Sequence, residues 1–245
     1  MRPWPFPQAR VRRAIVAIAL VAAWSAGCGA LGKEYEYEED VTLSLDGSAT
    51  IYVNSSLAAL TALRGIDLDL GPKARFDAER IRAAFSSPVG RVSRVSGYRR
   101  HGRRYATVRI EVDDIRRLPS AQSFAWSTYV LDRRSTEVSY RQTVSASANR
   151  EVGSVGWTGR ELVAFRLHLP SKITYHNATS KTVERGNILT WEQSLADRRA
   201  GVAVAMDVRM EPTSILYRTL LLFAISGLAA LAALAGVVWW VTRRA

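Results

Sequence analysis

The sequence has 245 residues, 34 lysines and arginines against 22 acidic side chains, and one cysteine. A single cysteine excludes an intrachain disulfide and every cysteine-based zinc finger. The formal charge of +12 divides unevenly: residues 1–32 hold four arginines and no acid, residues 212–245 hold three, and residues 33–211 hold 27 basic and 22 acidic groups, so the central region is mildly basic and carries no nucleic-acid motif.

Arg10, Arg12 and Arg13 precede the apolar run Ala14–Trp24. Charge followed by a short apolar run is the order of a secretory signal, expected over residues 1–27. The run closes on Ala26, Gly27 and Cys28, which resembles a bacterial lipobox, although Ser25 stands where an aliphatic residue is usual. Cys28 is the expected lipidation site, with residues 28–32 as the anchor region. The alternative is an incidental thiol beside an ordinary cleavage site.

Residues 33–211 read as a β-rich α+β domain of antiparallel hairpins with two short helices, a curved sheet or an open barrel. Tyr35, Tyr37, Val41, Leu43 and Leu45 occupy alternate positions, as in a half-buried strand. Asp46-Gly47 turns the chain into a partner strand through Ile51 and Val53. Leu57–Leu63 and Asp77–Phe85 are helical, the second capped by Asp77. A hairpin runs from Arg91 to Val112 around His101-Gly102, with Ala106, Val108, Ile110 and Val112 inward. Phe124–Leu131 and Val138–Val144 form another pair, and residues 145–160, rich in Ser, Gly and Ala, form a loop. Strands follow at Val163–Leu169, Ile173–Tyr175, Ile188–Gln193 and Val202–Met210.

Chemistry is sparse along this domain. His101, His168 and His176 do not share metal-ligand spacing, no G-x-S-x-G elbow or phosphate loop occurs, and Asp113-Asp114 would point to opposite faces of a strand. No enzyme and no cofactor is expected. Above this background stands a basic hairpin: Arg91, Arg94, Arg99, Arg100, Arg103, Arg104 and Arg109, interleaved with Tyr98 and Tyr105. A solvated hairpin tip is the plain reading. The functional reading places Arg99, Arg100, Arg103 and Arg104 on anionic lipid head groups. The acidic opening Glu34–Asp40 is expected to face away from such a surface or to meet a basic partner.

Thr219–Val241 is apolar or small throughout, and at ~1.5 Å per residue reaches about 34 Å, enough to span a bilayer. Trp239 and Trp240 mark an interface. Arg243 and Arg244 place residues 242–245 in the cytoplasm and the domain outside it. Signal, cysteine, the DGS hairpin, LPSKITYHNA followed by RGNILTWEQSL, and the C-terminal span together resemble the LppM-type bacterial lipoproteins. The resemblance implies an envelope-exposed domain that handles lipid or glycolipid, and it brings no catalytic set. Two functions follow as expectations. In the first, the domain binds membrane lipids or glycolipids, with a cavity lined by residues such as Phe85, Phe124, Trp126 and Trp191. In the second, it is a scaffold for envelope protein partners.

Overall fold

The computed structural model describes residues 33–244. The expected signal, Cys28 and the anchor region lie outside them. Among the described residues, ten strands form two sheets. The first has the order β3-β4-β2-β1-β7-β9 and the second β5-β6-β10-β8. They comprise β1 (Tyr35–Leu43), β2 (Ala49–Ser56), β3 (Gly90–Arg100), β4 (Arg103–Val112), β5 (Ser127–Arg133), β6 (Val138–Val144), β7 (Leu162–His168), β8 (Ser171–His176), β9 (Ile188–Ser194) and β10 (Val204–Ser214). Ile51, Val53, Val108 and Ile110 of the first sheet share one core with Val138, Tyr140, Val208 and Met210 of the second. Burial of these side chains supplies most of the driving force for folding, at about 25 cal/mol per Å² of apolar surface.

The mixed α+β class is as expected. All neighbouring strands run antiparallel except β1 and β7, which pair in parallel from Tyr35↔Leu162 to Thr42↔His168. A parallel pair needs a long crossover, and here most of the domain supplies it. Phe124 belongs to a 3-10 turn, Gln122–Phe124, and its strand begins only at Ser127.

The described residues include four α-helices: α1 (Leu57–Arg64), α2 (Ala78–Phe85), α3 (Leu195–Arg199) and α4 (Ile215–Arg244). α1 is buried on every side up to Leu63. Ser56 caps it by accepting from the Ala59 amide at 3.0 Å, and Gly65 ends it in the left-handed region that a Cβ disfavours. α2 shows the expected cap, Asp77, and buries Ile81 and Phe85. α3, the third short helix, is beyond the two expected. Its Ser194 cap and Asp197 form a local pair at 2.7 Å.

α4 begins directly after β10. It is 30 residues long, exposed throughout, and apolar enough to cross a membrane. Its exit is braced. The Ile215 amide donates to the Pro170 carbonyl at 2.9 Å, Arg218 pairs with Glu211 at 2.6 Å, and Lys172 approaches the same carboxylate at 3.7 Å. At the other end, Arg243 and Arg244 lie over the rings of Trp239 and Trp240 at 4.1 and 4.0 Å.

Candidate functional site: an arginine-rimmed cleft at the hairpin tip

The hairpin of β3 and β4 closes on His101 and Gly102, both at positive φ, as a two-residue turn between right-twisted strands requires. Its register sets arginine against arginine: Arg94↔Arg109, Arg99↔Arg104 and Arg100↔Arg103. Like charges directly opposite across a ladder are destabilising, a cost that an internal counter-charge or an external anion would relieve.

The four tip arginines meet that need differently. Arg103 turns into the protein, its side chain 17% exposed, against Glu36 at 3.3 Å and Glu161 at 3.6 Å, both fully buried. Glu36 also accepts from Tyr105 Oη at 2.7 Å and Trp157 Nε1 at 2.9 Å. Burial and then Glu36 push the Tyr105 phenol far above its ordinary range. Burial would raise Glu161, but the Thr158 and Gly159 amides outweigh it and hold the carboxyl below its usual value. Arg104 donates to the carbonyls of Ala74 (2.6 Å), Asp69 (2.8 Å) and Gly71 (3.1 Å). Carbonyls satisfy its hydrogens without cancelling its charge. Arg99 is exposed and Arg100 half-exposed. Arg103 is thus placed as an internal counter-ion, while the uncompensated charge sits on Arg99, Arg100 and Arg104.

Arg99, Arg103 and Arg104 line one cleft of about 360 Å³, together with Leu57, Leu70, Pro72 and Val155. This volume lies within the range of small-ligand sites, roughly 300–1,000 Å³. Its walls are the start of α1, the loop after α1, and the 153–157 loop. Leu57 also lines an adjoining hollow of about 530 Å³ with Leu68 and Phe76. A charged rim over an apolar floor suits an anionic amphiphile. A hollow of about 250 Å³ on the second sheet is lined only by polar and charged side chains, among them Asp132, Arg134, Glu137 and Asp207, and offers no apolar floor.

The wall formed by residues 66–77 is held against the hairpin by Arg104 and by Phe76, which packs on Gly97. A Cβ at Gly97 would lie 2.8 Å from that ring. α1 is held at its far end by Arg64, whose guanidinium pairs with buried Glu39 at 2.5 Å, donates to Tyr37 Oη and lies 3.7 Å over the Trp126 ring.

The expected aromatic cavity is not how those residues are used. Phe85, Phe124 and Trp191 are buried in the core, the two phenylalanines edge to face at 6.0 Å. Trp191 donates to Asn177 at 3.0 Å, and Trp126 is covered by Arg64. None of the four lines the clefts above. The acidic opening finds its partners inside the fold: Glu36 with Arg103, Glu39 with Arg64, and Glu38 with Arg166 at 2.6 Å. These buried acids are the site residues that sequence reasoning missed. The signal was present for Glu39 alone, which shares the alternating face of Tyr37 and Val41 and needs a buried base there; Glu36 and Glu38 fall on the opposite face of the alternation. Among the described residues, no three His, Cys, Asp or Glu side chains converge as a metal site. His176 accepts from the Ala178 amide at 3.3 Å.

No family model and no curated protein matches the sequence. Among solved structures, the fold is similar to the folded domain of the Mycobacterium tuberculosis LppM protein, with a TM-score of 0.42 and 14% identity over 76% of this chain and 96% of that one.

Proposed function

We propose that this chain is a membrane-anchored lipoprotein of the bacterial envelope that binds an anionic lipid or glycolipid in the cleft at the hairpin tip. The observation that carries this reading is the meeting of uncompensated Arg99 and Arg104 with the apolar floor of Leu57, Leu70 and Pro72 in one cleft. The charged rim takes the head group, and arginine forks onto phosphate or carboxylate with two hydrogen bonds. The floor takes the start of a hydrophobic tail. Anchoring by α4 keeps the domain in the envelope, on the extracytoplasmic side if the signal exports it. The role is one of binding, without catalysis.

The test uses the full chain in neutral detergent. Fluorescent lipid analogues with the same tail and either an anionic or a zwitterionic head group are titrated against it. The anionic analogue should bind at least tenfold more tightly, and the Arg99→Glu, Arg100→Glu double variant should remove that preference without a change in melting temperature. Equal affinity for both analogues would favour the scaffold role.

A further inference from the structure

The cleft lies beyond one end of β7 in the first sheet, and the membrane anchor, which follows β10 of the second sheet, leaves beside the other end of β7. α4 leaves beside Pro170, just past the end of β7 at His168. The other end of β7, Leu162, pairs with Tyr35 of β1. Tyr37 pairs with Ser55 of β2, and Ser56 with Tyr105 of β4. Tyr105 therefore lies at the level of Leu162, and the hairpin runs three residues further to Gly102. Six strand steps along β7 and three along the hairpin separate the tip from the exit, roughly 30 Å at about 3.3 Å per step.

The exit has no linker. Ser214 is the last residue of β10 and Ile215 the first of α4. Ser214 still pairs with Ser171, and its hydroxyl accepts from the Tyr217 amide at 3.2 Å. Glu211 holds both Arg218 and Lys172 across the joint, and Asn187 ties the carbonyls of Leu169 and Ser171 together at 2.8 and 2.5 Å. These contacts brace the joint between the domain and the helix.

We infer that the cleft takes its anionic amphiphile in trans, from outside the bilayer that α4 spans. This rests on the proposed binding function and adds the side from which the ligand comes. A separation of roughly 30 Å from the exit of α4 is several times the Debye length of about 8 Å at physiological salt, so head groups around that exit neither touch the rim arginines nor attract them. Source and anchor are distinct surfaces, and the domain bridges them.

The test reconstitutes the full chain into liposomes at 0.15 M salt and adds protein-free vesicles of neutral or anionic phospholipid. Anionic vesicles should co-float with the protein liposomes, and the Arg99→Glu, Arg100→Glu variant should reduce this at least tenfold. Anionic phospholipid placed in the protein's own bilayer should not compete. Insertion of about twelve Gly/Ser residues between Ser214 and Ile215, with a reach of roughly 20 Å, should allow it to compete. Dispersed short-chain anionic phospholipid is a further arm: if it binds while facing vesicles do not, the ligand arrives free, still from outside the anchoring bilayer. Loss of trans capture when only the native chain's own bilayer is made anionic would overturn the inference and leave the binding function standing. Absence of anionic-lipid binding even in detergent would remove both.

Discussion

Arg99 and Arg103 stand four positions apart on one hairpin and take opposite parts. Arg103 neutralises two buried carboxylates, whereas Arg99 carries its charge at the rim. Arg103→Met should therefore unfold the protein at lower temperature, because Glu36 and Glu161 lose a counter-ion, while Arg99→Ser should leave the melt within about 0.5 kcal/mol of the parent. Arg64→Met is the severer change: Glu39 would remain buried and uncompensated, at a cost of about 3–5 kcal/mol in denaturant unfolding. Glu161 sets an acid limit. Its folded-state pKa lies below the ordinary value of 4.5, so its contribution is complete above that value and is lost as pH falls through the depressed one. Glu161→Gln should flatten the stability profile in that acid window. Strand alternation made the inward positions of β1 legible from sequence. It gave no way to see that Arg64, remote along the chain, supplies the charge that lets Glu39 occupy one of them, or that Glu36, on the other parity, is buried against Arg103.

The hairpin is legible as an element because a His-Gly turn sits between alternating strands, and α2 because Asp77 caps a stretch with Ala78, Ile81 and Phe85 on one face. The parallel pairing of β1 with β7 was not, since period-two patterning is the same in either direction. The cleft wall at residues 66–77 was also invisible, as it has no periodicity of its own. It depends on Gly97, which leaves room for the Phe76 ring, and on Arg104, which binds three of its carbonyls. Gly97→Val should displace that ring and cost about 1–3 kcal/mol, the usual range for overpacking. Hydrogen exchange should then quicken in residues 66–77 and stay unchanged in β6 and β10. Equal quickening throughout would mean that the loop is not separately held.

Across the whole molecule, charge is sorted by partner. Acids of the first strand are consumed internally, α4 carries its arginines at its two ends, and Arg99, Arg100 and Arg104 at the hairpin tip stand without an acidic partner among the described residues, a local charge that a ligand would answer. The long apolar helix was legible as an uncharged run of sufficient length, but its direct joint to β10 was not, because the alternation of Val202–Met210 stops short of Pro212 and the structure continues the strand through it to Ser214. Salt separates the two parts of the proposed contact: raising ionic strength should weaken head-group selection and leave tail burial intact. The most direct measurement is photo-crosslinking of the full chain with an anionic lipid whose reactive group sits near the head, followed by peptide mapping. The account predicts adducts on Leu57, Leu70–Pro72 and Val155, lost in the Arg99→Glu, Arg100→Glu variant. Adducts confined to α4 and the loops beside Pro170 would contradict it.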